Sequence, residues 1–96
     1  MTEIPKIINE PSHGPEYQGR PGWIQPVDEN GKKLRPLIRC NCGWFVGIGL
    51  HHVHTDGTVT DSFLHDKASD QERGCGWHVF LKLKDWIGGE FKPEKP

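Results

Sequence analysis

Three cysteines and six histidines are the residues of this 96-residue chain whose types can do metal chemistry. Two cysteines stand in Cys40-Asn41-Cys42-Gly43-Trp44 and the third in Cys75-Gly76-Trp77-His78, so a Cys-Gly-Trp tripeptide occurs twice. Thiolates and imidazoles are the donors that a tetrahedral zinc site takes. A disulfide is disfavoured, because the cysteine number is odd and Cys40 and Cys42 are too close for relaxed bridge geometry. Two tight turns, or knuckles, would supply the ligands, each with a glycine that lets backbone amides bend toward sulfur. The first knuckle offers Cys40 and Cys42; the second offers Cys75 and one histidine.

That fourth ligand has two candidates. His65 ends the strand expected to feed the second knuckle, and the hairpin before it returns it toward the strand that leaves Cys42. His78 forms a Cys-x-x-His spacing with Cys75, itself an ordinary ligand pattern. The hairpin argument favours His65. The expected site is therefore Cys40, Cys42, His65 and Cys75 around a structural Zn2+ with no position left for water. No catalytic or other cofactor-binding residue is expected.

His51, His52 and His54 read as an exposed hairpin tip with His52 bonded to Asp61. A sharper alternative is that His52-Val53-His54 followed by Ser62 approaches the His-x-His…Ser-x-x-Asp pattern of JAMM-type metalloproteases. In that pattern His65 replaces the final Asp, and no upstream catalytic Glu stands out. Such a site would activate a water on the metal.

Small elements must hold these residues. Apolar residues make up 33% of the chain and Gly and Pro supply 12 and 8 residues, so the core is thin and a staple is expected. Residues 1–22 carry four prolines and three glycines without a hydrophobic period and read as an extended arm, not a packed element. Residues 23–29 and 32–39 flank Asn30-Gly31, a hairpin signal that sets Glu29 against Lys32 and Asp28 against Lys33. Pro26 and Pro36 make these edge strands. Residues 44–55 and 58–65 flank Asp56-Gly57, pairing His54 with Val59, His52 with Asp61, Leu50 with Phe63 and Ile48 with His65. A polar loop spans 66–74. The last strand starts at Trp77, with Trp77, Val79, Leu81 and Leu83 on one face and Trp86-Ile87 capping the core. Residues 23–89 form the β domain and 90–96 a frayed tail; no segment has a helical period. Trp44 and Trp77 read as core plugs that shield the metal, the alternative being a stacking platform for bases. The fold expected is thus mainly β, a small zinc-ribbon-like antiparallel domain with an extended Pro/Gly-rich N-terminal arm.

The stretch from Ile38 to Trp86 resembles a class of small zinc-ribbon-like proteins encoded in tailed-phage genomes. The resemblance rests on Cys40-Asn41-Cys42-Gly43, on residues 56–62 (DGTVTDS), and on Cys75-Gly76-Trp77-His78 leading to Leu83 and Trp86. In that class a cysteine usually stands where His65 falls, which implies a ligand role for His65. The Cys-x-Cys knuckle and Asp61, where proline is usual, are departures. The resemblance implies a metal site and a viral context.

Charge narrows the partners. Twelve basic residues face thirteen acidic ones, so no basic excess draws the chain to nucleic acid or an anionic membrane. No apolar run is long enough to span a bilayer, and the N-terminus lacks the apolar core of a signal peptide, which points to an intracellular site, in the host cytoplasm or on a virion. The function expected is a non-enzymatic interaction or structural module, docked through residues 1–22 on protein partners such as phage structural proteins. A nucleic-acid-binding zinc ribbon in transcription is the second reading, and a small metallohydrolase the third.

Overall fold

The computed structural model of the protein describes residues 1–8, 12–67, 71 and 74–94. Parts of the expected arm (9–11), of the 66–74 loop (68–70 and 72–73) and of the tail (95–96) lie outside the described residues. The chain is mainly β, with nine short strands among the described residues: β1 (Thr2–Ile4), β2 (Gly22–Ile24), β3 (Leu37–Arg39), β4 (Phe45–Gly47), β5 (His52–Val53), β6 (Val59–Thr60), β7 (Phe63–His65), β8 (Trp77–Val79) and β9 (Leu81–Leu83). One 3-10 turn, Pro15–Tyr17, is the only helical element among the described residues. None of the helices there is long and apolar enough to cross a membrane.

Strands β2, β3 and β4 form an antiparallel sheet in that order, while β5-β6 and β7-β8 are antiparallel ribbons and β1-β9 is a parallel pair. Around one core these bury Ile4, Trp23, Ile38, Ile48, Val53, Val59, Phe63, Leu81, Leu83 and Trp86, together with Cys40. Alternation in the last strand follows the expected faces: Leu81 and Leu83 are buried, Phe80 and Lys84 exposed. Trp86 does cap the core, its ring edge-on to Trp23 and its indole N–H donating to the Gly89 carbonyl.

The turns and registers differ from those expected for two-residue loops. Type I′ turns need positive φ at both central residues. Gly31 (φ 79°) and Gly57 (φ 91°) have it, but Asn30 and Asp56 do not. Each hairpin instead closes through a longer loop ending in a left-handed glycine, with Gly31 N–H bonded to the Asp28 carbonyl and Gly57 N–H to that of His54. Asp28 Oδ1 accepts from the amides of Asn30 and Lys32, and Asp56 Oδ1 from Thr58, so aspartates brace both turns. The added loop residue shifts β5-β6 by one: His52 faces Thr60 and Val53 faces Val59. The first hairpin keeps the expected register away from its turn, with Trp23 opposite Ile38, while Val27 pairs with Lys33 nearer the tip.

The long second hairpin is also broken up. β4 pairs with β3, and β7 pairs with β8, so neither Ile48–His65 nor Leu50–Phe63 is a strand pair. Gly47 and Gly49 weaken the strand between β4 and β5. Pro36 lies just outside β3, which leaves β3 free to be the central strand rather than an edge.

The described N-terminal residues are packed and include the Pro15–Tyr17 turn, where an unpacked extended arm was expected. Ile4 is buried in the core through the pairing of β1 with β9, and Lys84 N–H donates to the Ile4 carbonyl. A chain with so few apolar residues recruits this strand to fill its core. The C-terminal segment is likewise held. Val53 and Phe91 exchange both backbone hydrogen bonds, at 2.8 and 2.9 Å, where a frayed tail was expected.

Candidate metal centre

Two backbone turns build the site. After β3, Cys40 N–H donates to the Trp44 carbonyl and Gly43 N–H to the Cys40 carbonyl, which folds residues 40–44 into a knuckle. Gly43 adopts φ 97°, and a Cβ there would overlap the Gly14 carbonyl oxygen. Glycine is therefore required twice over, by conformation and by space. At the second knuckle the His65 carbonyl accepts from both Cys75 and Gly76 N–H, at 2.8 and 2.7 Å, before β8 begins at Trp77.

These turns bring one donor atom from each of Cys40, Cys42, His65 and Cys75 within 4.8 Å of the others. Cys40 Sγ lies 3.3 Å from Cys75 Sγ, and His65 Nδ1 lies 3.5 Å from Cys42 Sγ and 3.8 Å from Cys75 Sγ. Metal bonds of about 2.3 Å to sulfur and about 2.0 Å to nitrogen give tetrahedron edges of about 3.5–3.8 Å. Of these three edges, the two to His65 already match and the Cys40–Cys75 edge would widen by a few tenths of an ångström. All three cysteines are free thiols. The donor set and its spacing fit a metal ion.

Burial and hydrogen bonding act differently on the two thiols that face one another. Burial pushes the Cys40 thiol far above its ordinary range, against the smaller opposing effect of the Cys42 amide. Burial also raises Cys75, but the Trp77 amide and hydrogen bonds from Cys40, His65 and Cys42 together outweigh it, and its pKa is lowered. In both knuckles the amide two residues on points at the first sulfur, Cys42 N–H toward Cys40 and Trp77 N–H toward Cys75. Such amides stabilise thiolates, the form that binds a metal.

Cys40 and His65 are buried, Cys42 is half-buried and Cys75 exposed. A pocket of about 260 Å³, lined by Gln18, Asn41, Cys42, Cys75, Gly76 and Trp77, opens the Cys75 side to solvent. Trp77 packs edge-on against Phe63 as an inner wall, in line with its reading as a plug. Trp44 instead meets His13 of the N-terminal segment, at 4.9 Å between ring centres.

That segment is what sequence reasoning missed. Gly14 N–H donates to the Gly43 carbonyl and Gly19 N–H to that of Asn41, so residues 14–19 cross the first knuckle. The neighbouring Arg39 is buried, and its guanidinium donates to the Arg20 and Ser12 carbonyls while lying 4.6 Å from the Tyr17 ring. Arginine beside the knuckle and glycines in the arm were the available signals, but neither specifies a partner without the fold.

His78 is not brought to the cluster; its Nε2 is bonded to Ser62 Oγ, 2.8 Å away, on an exposed face. His52 does not reach Asp61. It pairs with Glu90, while His54 is bonded to Thr60. The His-x-His…Ser constellation is split, because His65 belongs to the cysteine cluster and Ser62 to His78.

No family model matches the chain, and comparisons with curated proteins and with solved structures return no match.

Proposed function

We propose that the protein is a non-enzymatic structural and interaction module whose small β body is stapled by one zinc ion at Cys40, Cys42, His65 and Cys75. The observation that carries this reading is the four-donor cluster closing two knuckles drawn from different parts of the fold. Three thiolates and an imidazole suit zinc, and four protein ligands leave no place for a metal-bound water. The staple joins the β2-β3-β4 sheet to the β7-β8 ribbon, where a core of eleven buried apolar residues gains most from a cross-link.

The resemblance to small phage-encoded zinc-ribbon-like proteins supports a place in a phage particle or its assembly, in the host cytoplasm or on the virion. Contact with a protein partner falls to those parts of the N-terminal segment that the body leaves exposed. Met1 and Ile8 are 77% and 78% exposed, and Phe80, whose carbonyl accepts from Thr2 N–H, adds a third apolar group.

Native mass spectrometry with and without chelator tests the staple. One zinc held by the cysteine cluster, with loss of folded structure on its removal, is the expected result; a chain that stays folded when stripped refutes it. The partner reading is tested with Ile8→Glu, which disturbs no core residue. That variant is expected to keep its zinc and to stop co-sedimenting with assembled particles. Unchanged co-sedimentation would remove Ile8 from the interface.

A further inference from the structure

We propose that His52, His54 and Glu90 form a second, open site for a divalent transition-metal ion. Its residues are separate from the cysteine cluster, and its test rests on the reading that the cluster takes the first zinc.

The backbone builds this site. Val53 is buried, and it is paired on one side with Val59 of β6 and on the other with Phe91. Side chains alternate along extended backbone, so when Val53 and Phe91 face inward, their neighbours face outward. His52 of β5, His54 just after it and Glu90 from the C-terminal segment therefore share one outer face. Their donor atoms lie within 4.8 Å of one another. His52 Nε2 is 2.7 Å from Glu90 Oε2, and the two imidazoles stack with centres 4.0 Å apart and planes 6° from parallel. Thr60, opposite His52, holds His54 Nε2 at 3.1 Å through its hydroxyl.

An ordinary surface ion pair explains only part of this arrangement. One imidazole suffices to pair with Glu90, and an exposed pair contributes little to stability. The second ring, laid against the first, supplies an additional donor that the ion pair does not use. Two imidazole nitrogens and a carboxylate oxygen suit Zn2+, Ni2+ or Cu2+ and do not suit Mg2+ or Ca2+, which take oxygen-rich shells. Parallel rings do not aim both lone pairs at one point, so binding requires the imidazoles to tilt toward each other. Three protein donors leave positions for solvent, which makes the site weaker and more labile than the cysteine cluster. The bound ion would join β5 to the C-terminal segment and reinforce the Val53–Phe91 bridge.

The test uses the full chain already carrying one equivalent of zinc, titrated with further Zn2+ and followed by native mass spectrometry and by the histidine ring resonances in NMR. A second, weaker ion is expected, and its arrival should shift the His52 and His54 rings and slow exchange of the Phe91 amide. The His52→Ala/His54→Ala double variant should bind that ion at least about tenfold more weakly while keeping the first. Glu90→Gln, which preserves size, should weaken it by a smaller factor and decides the matter if the double variant fails to fold. Saturation at one ion in the unaltered chain overturns the proposal. So does second-ion affinity unchanged in the variants, or ring shifts confined to other histidines.

Discussion

The cysteine cluster and the histidine cluster draw on similar residue types and end in opposite situations. Cys40 and His65 are buried, and their site receives four donors from two knuckles. His52 and His54 are half-buried and Glu90 is exposed, and this outer face offers three. The first site lies where separate sheets meet, so a metal held there would tie them together. The second lies over a bridge that backbone hydrogen bonds already make. Position in the fold thus separates a site whose metal would tie the structure together from one whose metal would only decorate it.

The contrast breaks most readily at Cys40. Cys40→Ser should abolish zinc retention and unfold the chain, since apparent zinc binding energies in small stapled domains reach about 10 kcal/mol or more. Loss of chemical-shift dispersion in NMR would show it, and a well-dispersed spectrum would make the two clusters equivalent. Ile4→Ala tests whether the N-terminal strand belongs to the stapled body. Removing a fully buried isoleucine should cost about 2–5 kcal/mol in urea unfolding, with the zinc still bound in the native state.

Gly43→Ala probes the lacing of the N-terminal segment over the knuckle. A side chain at positive φ that also overlaps the Gly14 carbonyl should cost about 1–3 kcal/mol. Amide exchange at Gly14 and Gly19 should accelerate more than exchange in β9. Zinc-loaded His52→Ala/His54→Ala protein, by contrast, should unfold within about 0.5 kcal/mol of the unaltered chain when no second ion is supplied. A larger loss would move the histidine cluster into the structural class.

The smallest effect belongs to Asp56. The Thr58 amide holds its carboxyl below its ordinary value of 3.8. A depressed folded-state pKa means that the contribution is complete above the unfolded value and fades as pH falls through the folded one. Asp56→Asn should therefore flatten the acid limb of the stability profile below about pH 3.8 and change little at neutral pH. An unchanged acid limb would remove the turn brace from the account.

The site was more legible than the path of the chain. Cys-Gly at two places and a histidine ending a strand are local signals, and the structure brings those four residues together. The inward alternation from Trp77 to Leu83 was also readable, because a strand's faces follow directly from its period. Strand pairing was harder. Asp56-Gly57 marked a turn but not its length, and one extra loop residue moved His52 of β5 to a new neighbour. Residues 1–22 looked unpacked because their proline and glycine content describes local stiffness and says nothing of a distant strand. Glu90 went unnoticed for the same reason, since only the Val53–Phe91 bridge carries it to His52.

By itself the sequence determined the donor types, the two glycine-bent knuckles, the mainly β class and the near-neutral charge. Tertiary structure alone decided that β1 completes the core, that the arm crosses its own knuckle, and that Glu90 meets His52. Local rules act over a few residues, through backbone sterics and side-chain alternation. Those three outcomes depend on contacts between residues far apart in the chain, whose geometry exists only once a small core has closed around Trp23, Phe63 and Leu81.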